Sequence, residues 1–361
     1  MGSDDVVADR DAFGQRLRDA ALGFFDVLSI SLGDRLGLYQ VLADGGSLTS
    51  EDLASRAGIA ERYAREWLEQ QTSAGIVRAL DASAADPRFQ LPKGHAEVLL
   101  DRDSLSYGAP LICSLMVLTP VMDALALAFR TGGGVPWESY RGEARDAVGD
   151  SNRALYLRVM SQEWLPAIPV VQRRLTAAPP ARIADIGCGT GWSSIAMALA
   201  YPDVSVHGFD RDPGSIAQAR TQAASSGVAD RVEFDVADSS RLGDEGTYDL
   251  VTFFECLHDM ARPVEALRTA RGMLADGGVA LVGDEPTNEA FLGGPDDLDR
   301  FHYGWSLFAC LPAAMTEPGS AATGAVMRPS TLQRFASEAG FTGFEVLPIE
   351  HDSFWLYLLT P

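Results

Sequence analysis

The sequence contains few cysteines and few basic residues. Cys113, Cys188, Cys256 and Cys310 are scattered without a C-x-x-C pair, which argues against a disulfide framework or a zinc site and favours a reducing compartment. Only 29 lysines and arginines accompany 50 aspartates and glutamates, so the formal net charge of the 361-residue chain is −21. Proteins that bind nucleic acid usually present a basic face to the phosphates, and nucleic acid is therefore not an expected partner.

The sequence also lacks a recognisable targeting signal. The segment MGSDDVVADRDAFGQRL is acidic and polar, unlike a signal peptide, and Val6 occupies the position where an N-myristoylation signal needs Ser or Thr. The longest apolar stretch, around Leu111 to Phe129, is interrupted by Asp123 and by two turn-like dipeptides. A membrane span needs about 20 largely uncharged residues. We therefore predict a buried helix pair here, in a cytoplasmic protein without a membrane partner.

Residues 12–105 have the pattern of a mostly helical winged-helix domain. Apolar residues spaced by three and four predict helices, and Thr49 followed by Asp52 has the spacing of a capping box at a helix start. Gly58 would end that helix. The predicted elements are a helix within Ala20–Leu42, a helix over Glu61–Ala74, and a two-stranded wing made of Arg78–Leu80 and Phe89–Leu91.

A winged helix can bind DNA or can serve as a dimerisation module. The second helix, ERYAREWLEQQ, carries two arginines but three glutamates, so its net charge is negative. A recognition helix that enters a phosphate-lined groove would rarely have this charge. We therefore predict a dimerisation domain and a homodimer, and a DNA-binding regulator stays an alternative.

Residues 106–172 are predicted to form a helical linker and substrate lid, and residues 173–361 a separate catalytic domain. In the latter, strands alternate with helical segments, which indicates a mostly parallel α/β sheet. The last two strands are joined only by IEHDS, too short for a crossover, so they must form an antiparallel hairpin. The predicted strands are Arg182–Ile186, Val204–Phe209, Val232–Val236, Leu250–Phe254, Val279–Val282, Gly343–Pro348 and Phe354–Leu359.

A glycine-rich turn, DIGCGTGW, follows the first of these strands. Glycines at such a turn let a ligand lie against the main chain. A dinucleotide fingerprint has the spacing G-x-G-x-x-G, whereas here the spacing is G-x-G-x-G and Trp192 occupies the position of the last dinucleotide glycine. An indole would hinder the close approach of helix and strand, so a nicotinamide cofactor is disfavoured.

An acid followed by G-x-G-x-G resembles the first motif of the class I S-adenosylmethionine-dependent methyltransferases. The resemblance implies a Rossmann-like, seven-stranded methyltransferase sheet closed by the C-terminal antiparallel hairpin, with S-adenosylmethionine as cofactor. It also implies that the methionine portion is held by Asp185, Gly187, Gly189 and Gly191, and the ribose by Asp210 with Arg211. The adenine would be held by Asp238 and Ser239, and the remaining cofactor contacts would come from Phe254 and Glu255.

The fourth strand runs into Cys-Leu-His258-Asp259, which resembles the plant-type small-molecule O-methyltransferases with an N-terminal winged-helix domain. In that family the histidine is the general base. Histidine titrates near neutrality, so it can take a hydroxyl proton while the oxygen attacks the methyl group. The resemblance therefore makes His258 and Asp259 the candidate catalytic residues for O-methylation of an aromatic or polyketide-like metabolite. Because adjacent side chains diverge, Asp259 need not orient His258, and contact with the substrate and capping of the next helix are the two alternative roles for Asp259.

The acidic residues that support the catalytic histidine in the plant-type enzymes have no secure match in this sequence. Asp284 and Glu285 are candidates by position only. The leading interpretation assigns no metal, but His258, Asp259 and His302 together could bind a divalent ion. Since some related methyltransferases of 2-oxo acids use metal, C-methylation of an enolate is an alternative function. A transcriptional regulator with a ligand-binding methyltransferase-like domain is another.

Overall fold

The computed structural model describes residues 3–140, 142–243 and 247–361, without the side chains of residues 3, 142–146 and 148. The chain divides into two compact units, Met1–Val117 and Leu118–Pro361. The first unit is mainly helical and the second contains the large sheet. The three-part division proposed from the sequence stays a prediction.

Helices dominate the first unit. Their bounds are α1 Ser3–Arg35, α2 Leu38–Gly45, α3 Ser50–Ala57, α4 Glu61–Ser73, α5 Lys93–Leu100 and α6 Ala109–Met116, and the wing strands are β1 Arg78–Ala79 and β2 Phe89–Gln90. The single helix predicted within Ala20–Leu42 is wrong, because Gly37 adopts a left-handed conformation (φ +65°) and separates α1 from α2. Glycine takes that conformation without the steric penalty of a Cβ.

Local sequence signals specify the winged-helix turns well. The Thr49 hydroxyl accepts the N–H of Asp52 at 3.1 Å, and Asp52 accepts the N–H of Thr49 at 3.2 Å, so the predicted capping box is present at the start of α3. Gly58 ends that helix with φ +68°. The wing strands pair antiparallel, and Phe89 of β2 is buried in the core of the unit.

The apolar stretch at the junction of the two units is mostly exposed. By length and composition, Ala109–Thr131 is apolar enough to cross a membrane, and only 28% of its most apolar window is buried. The expectation of a buried helix pair is therefore wrong in its burial, although a short 3₁₀ turn at Thr119–Val121 separates α6 from the next helix. The cytoplasmic location stays a prediction.

The second unit is built on a seven-stranded sheet with strand order β5-β4-β3-β6-β7-β9-β8. The strands are β3 Arg182–Ile186, β4 Ser205–Asp210, β5 Val232–Val236, β6 Tyr248–Phe254, β7 Leu274–Asp284, β8 Gly343–Val346 and β9 Trp355–Thr360. Strands β3 to β7 pair in parallel, whereas β9 is antiparallel to both β7 and β8. The predicted sheet with its C-terminal hairpin is confirmed.

Helices cover both faces of this sheet. The helices of the second unit are α7 Met122–Thr131, α8 Gly142–Leu155, α9 Leu165–Ala167, α10 Pro169–Leu175, α11 Trp192–Ala200, α12 Pro213–Ser225, α13 Pro263–Met273, α14 Asp297–Trp305, α15 Leu311–Ala314 and α16 Pro329–Ala339. One buried cluster packs α11 and α12 against one face, and a second packs α13 and α16 against the other. Both faces of a parallel sheet are thus buried, and ligands reach it at the carboxyl ends of its strands.

Candidate active site

The turn between β3 and α11 contains three glycines, at positions that differ in how much space surrounds them. Gly187, Gly189 and Gly191 all have left-handed φ values, of +69°, +52° and +86°. A Cβ on Gly187 would lie 2.6 Å from the Cys256 side chain, and one on Gly191 would lie 2.7 Å from the ring of Phe234. A Cβ on Gly189 would meet nothing within 4 Å. The first and last glycines therefore allow close packing, while the middle one leaves room for a ligand.

A cavity of about 490 Å³ lies over this turn, at the carboxyl edge of the sheet. Of the residues predicted from the sequence, those in its wall are Gly187, Gly189, Asp210, Arg211, Asp238, Ser239, Phe254, Glu255 and Asp259. Gly191, Asp185 and His258 are not in the wall. The structure thus brings nine of the twelve predicted residues to one cavity.

The two acids at the ends of β4 and β5 are held by short-range hydrogen bonds. Asp210 accepts the N–H of Gly189 at 2.9 Å and the N–H of Asp212 at 2.8 Å. Asp238 accepts the N–H of Ser240 at 3.0 Å and its hydroxyl at 2.7 Å, which caps a 3₁₀ turn at Ser239–Arg241. Both carboxylates are therefore oriented before any ligand arrives.

Asp185 differs from its predicted role. Its side chain is buried beneath the turn, where it accepts the hydroxyls of Ser193 and Ser194, each at 2.6 Å, and of Thr252 at 2.8 Å. Burial raises the pKa of this carboxyl, and the three hydroxyl bonds oppose that shift. Asp185 therefore joins β3, β6 and α11 to each other, and it is not among the residues of the cavity wall.

The end of β6 supplies an aromatic ring and an acid. The ring of Phe254 lies 5.7 Å from the ring of Tyr156, and both residues line the cavity. Glu255 has φ +48°, and its carboxylate accepts a hydrogen bond from the amide of Asn152. Burial and the charge of Glu285 raise the pKa of Glu255 to about 8. Asn152 was not found from the sequence, because it lies 103 positions away and belongs to no motif.

His258 is surrounded by acids and is only 2% exposed. Its Nδ1 lies 2.7 Å from Asp284 and 3.2 Å from Glu285, and its Nε2 lies 3.3 Å from Asp259. Burial opposes the charged imidazolium, but the neighbouring carboxylates outweigh it and raise the pKa well above 6.5. Asp284 and Glu285, candidates by position only, lie next to His258. Asp259 lines the cavity, whereas His258, the predicted base, is not in the cavity wall.

The same residues could hold a metal ion. Two groups have ligand atoms that all lie within 4.8 Å of one another: His258 with Asp259 and Cys310, and His258 with Asp284 and Glu285. Neither group includes His302, so the set proposed from the sequence is wrong in that member. Asp284 Oδ2 is buried and has no hydrogen-bond partner within the described part of the chain. Cys310 carried no sequence signal, since a lone cysteine in a helix is usually structural.

Comparisons with known proteins agree with this architecture. Residues 184–280 match a methyltransferase domain, and residues 25–101 match an Rv2258c-like winged helix-turn-helix domain. A trans-aconitate 2-methyltransferase from Methylobacterium nodulans is 32% identical over 135 residues, which are 37% of this chain and 50% of that protein. The match thus spans about half of the relative's length.

Solved structures extend the likeness over the whole chain. Mitomycin 7-O-methyltransferase superposes with a TM-score of 0.73 at 19% identity, covering 98% of this chain and 100% of that one. Human N-acetylserotonin methyltransferase, in complex with S-adenosylmethionine, gives a TM-score of 0.65 at 20% identity, covering 100% and 99%. At these identities the superpositions show the fold, and the model match identifies residues 184–280 as a methyltransferase domain. The chain carries a catalytic domain of the class I methyltransferases, whose cofactor is S-adenosylmethionine, together with an N-terminal winged-helix domain.

Proposed function

We propose that the protein transfers the methyl group of S-adenosylmethionine to an oxygen of a small-molecule acceptor. The observation that carries this proposal is that one cavity joins the glycine turn, Asp210 and Asp238 to Asp259. A cofactor site and a proton-accepting group are therefore exposed to the same enclosed space. A few hundred cubic ångströms is the usual size of a small-molecule site.

The strand order supports a particular placement of the cofactor. Asp238 follows β5, Asp210 ends β4, the glycine turn follows β3, and Glu255 follows β6. Neighbouring strands are spaced by about 4.8 Å, so these four positions extend over about 14 Å. We propose that adenine lies at Asp238 and ribose at Asp210, with the methionine portion over the glycine turn. Its sulfur then lies toward β6.

The acceptor's proton goes to the group formed by Asp259 and His258. Asp259 lines the cavity, and the adjacent His258 charge favours its ionised form against the burial that raises its pKa. In this proposal Asp259 accepts the hydroxyl proton, and His258, held by Asp284, keeps the carboxylate charged and oriented. This assignment differs from the sequence-based one, in which His258 itself takes the proton.

Calorimetry and a transfer assay test the proposed function. S-adenosylmethionine and S-adenosylhomocysteine should each bind the purified protein saturably, at one site per chain. A thermal-shift screen of metabolites with S-adenosylhomocysteine present should then find acceptors, because a true acceptor stabilises the ternary complex. Asp259→Asn should abolish methyl transfer to such an acceptor and leave S-adenosylhomocysteine affinity unchanged. Absence of saturable cofactor binding would remove the proposal altogether.

A second candidate function is metal-assisted C-methylation of a 2-oxo acid or enolate. The donor set fits a divalent ion, since imidazole, carboxylate and thiolate groups converge and Asp284 Oδ2 lacks a partner among the described residues. A bound ion would act as a Lewis acid toward the acceptor's oxygen. Elemental analysis of the purified protein and of Asp284→Asn, before and after chelation, distinguishes the two. Metal that is present in stoichiometric amount in the wild-type protein and absent from Asp284→Asn would favour this candidate.

We propose that the winged-helix domain joins two copies of the chain and does not bind DNA. Large apolar side chains along α1 are exposed, with Phe13 at 60%, Leu22 at 62% and Phe25 at 60%. On α4 both arginines pair with glutamates of the same helix. Light scattering should give a dimer that Phe25→Glu weakens. A mobility shift on genomic DNA at physiological salt would instead favour the regulator alternative.

A further inference from the structure

Glu255 is placed in the cavity wall by its backbone. The left-handed φ of +48° is uncommon for a residue with a side chain. Its N–H donates to the carbonyl of Gly283 at 2.9 Å, which continues the pairing of β6 with β7 for one residue. Asn152 of α8 then holds the carboxylate from the opposite side. The side chain is thus fixed between a strand end and a helix, and it lines the cavity.

No cation balances this carboxylate within the described part of the chain. The two arginines in the cavity wall, Arg211 and Arg262, both lie against Glu317, at 3.4 and 3.5 Å. His258 is engaged by Asp284 and Glu285. Burial and the charge of Glu285 raise the pKa of Glu255 to about 8, because they outweigh the opposing effects of the Asn152 hydrogen bond and the His258 charge. A ligand that brings a positive charge would balance the Glu255 carboxylate.

The position of Glu255 along the sheet edge selects which part of the cofactor meets it. The acids proposed for adenine and ribose are Asp238, after β5, and Asp210, at the end of β4, and the glycine turn after β3 is the proposed site of the carbon chain that follows. Glu255 follows the next strand, β6, and precedes Asp259 in the cavity wall. The atom that passes between the nucleoside and the acceptor is the sulfur. In the methylated cofactor this sulfur is a sulfonium cation.

We infer that Glu255 is the counter-charge of the sulfonium, and that it makes the site bind S-adenosylmethionine more tightly than S-adenosylhomocysteine. This inference rests on the proposed function. During transfer the carbon–sulfur bond breaks, the carbon–oxygen bond forms, and the acceptor's proton passes to Asp259, so the sulfur becomes a neutral thioether. Glu255 then loses its partner, which favours release of the product. The residue therefore sets cofactor specificity and product exchange without taking part in proton transfer.

The effect of Glu255 on KM and kcat follows from the loss of positive charge on the cofactor's sulfur during methyl transfer. Positive charge on sulfur decreases as the transition state forms, so Glu255 stabilises bound substrate at least as much as the transition state. Removing an interaction of that kind raises KM and leaves kcat unchanged or higher. Loss of a residue that merely supports the fold would instead lower kcat and kcat/KM together.

The inference is tested by measuring how tightly the cofactor and two related compounds bind to the wild-type protein and to a pair of variants. The probes are S-adenosylmethionine, S-adenosylhomocysteine and sinefungin, which has an amine in place of the methylated sulfur. Wild-type protein should bind the two cationic probes about tenfold more tightly than S-adenosylhomocysteine, about 1.4 kcal/mol by calorimetry. Glu255→Gln should remove this preference by weakening only the cations. Asp238→Asn is the matched contrast, because it should weaken all three probes equally.

A second variant protects the test against misfolding of the first. Asn152→Lys keeps Glu255 and places a cation beside it, so it should remove the preference in the same way. Equal losses for all three probes in Glu255→Gln, or an intact preference in Asn152→Lys, would overturn the inference. Failure of every probe to bind wild-type protein would instead remove the proposed function. The two failures are therefore distinguishable.

Discussion

The acidic side chains in the two halves of the cavity have opposite surroundings. In the nucleoside half, Asp210 and Asp238 accept hydrogen bonds from nearby N–H and hydroxyl groups and are oriented by the local chain. In the transfer half, Asp259 lines the cavity. Together with Asp284 and Glu285 it lies around His258, and the other three residues are outside the cavity wall. Asp284 Oδ2 has no hydrogen-bond partner in the described part of the chain. One half is complete without a ligand, whereas the other holds an excess of negative charge.

This difference separates two tasks. A preoriented carboxylate loses little entropy when it binds ribose or adenine, which suits a cofactor common to a whole family. Crowded acids are costly unless a cation or a proton relieves them. The transfer half is therefore where protons and charge move during the reaction. Substitutions in the two halves should accordingly change different measurements.

The largest effect is expected for His258→Ala. Loss of the imidazolium leaves Asp259 beside two other acids, so it takes up a proton and no longer accepts one from the acceptor. Turnover should fall roughly 100-fold or more, the usual scale for a lost acid–base group. Affinity for S-adenosylhomocysteine should stay within about twofold of wild type. Full turnover in this variant would show that the halves do not divide the work in this way.

Substitutions in the glycine turn should affect stability next. Gly191→Ala forces a Cβ against Phe234 and Ala219 in a left-handed backbone, so unfolding free energy should fall by about 2–4 kcal/mol. Gly189→Ala is the matched control, since its Cβ meets nothing within 4 Å. That variant should lose only about 1–2 kcal/mol of stability but should bind the cofactor poorly. Denaturant unfolding and calorimetry measure both, and equal stability losses would contradict this account of the turn.

The contrast also explains what the sequence could predict. The nucleoside half depends on short motifs that follow successive strands, and parallel strands bring their ends to one edge. The strand pattern thus places Asp210 and Asp238 at this edge, and the family resemblance supplies their expected roles. Two motif residues lie outside the cavity wall, Gly191 and Asp185. A sequence does not show that Ser193, Ser194 and Thr252 donate hydrogen bonds to a buried Asp185.

The transfer half could not be predicted to the same depth. His258 was recognisable from its place after β6, but its burial depends on β7 and on the helices after it. Asp284 reaches His258 only because β7 pairs with β6 in a particular register. Asn152 and Cys310 come from helices with no motif at all. Contacts of this kind arise from tertiary packing, and local pattern carries no record of them.

A smaller effect is expected on the pH dependence of thermal stability, which should respond differently to substitutions in the two halves. The pKa of Glu255 is about 8 in the folded chain, above its ordinary value of 4.5. Between these values the folded state retains a proton that the unfolded state has lost, so stability falls as pH rises through this window. Glu255→Gln lacks that penalty and still accepts from Asn152. Without ligand, its Tm should exceed that of wild type by about 2–4 °C at pH 8 and by less at pH 5.

A Tm difference between Glu255→Gln and wild type that stays constant from pH 5 to pH 8 would contradict this expectation. It would mean that the Glu255 carboxyl does not titrate in that range. The matched substitution Asp238→Asn in the nucleoside half should show no gain at pH 8, because Asp238 caps its own turn as a carboxylate. Because Asn caps helices about as well as Asp, its cost in stability should stay below about 1 kcal/mol.

The smallest effect is expected where the halves meet. Glu317 lies between Arg211 of the nucleoside half and Arg262 beside the transfer half, at 3.4 and 3.5 Å. All three side chains are partly exposed, and such pairs contribute about 0.2–1 kcal/mol. Glu317→Gln should therefore change cofactor affinity by less than about fivefold and leave turnover intact, with the difference vanishing at high salt. A loss as large as that of His258→Ala would show that the halves depend on each other through this bridge, and the division of labour between them would have to be abandoned.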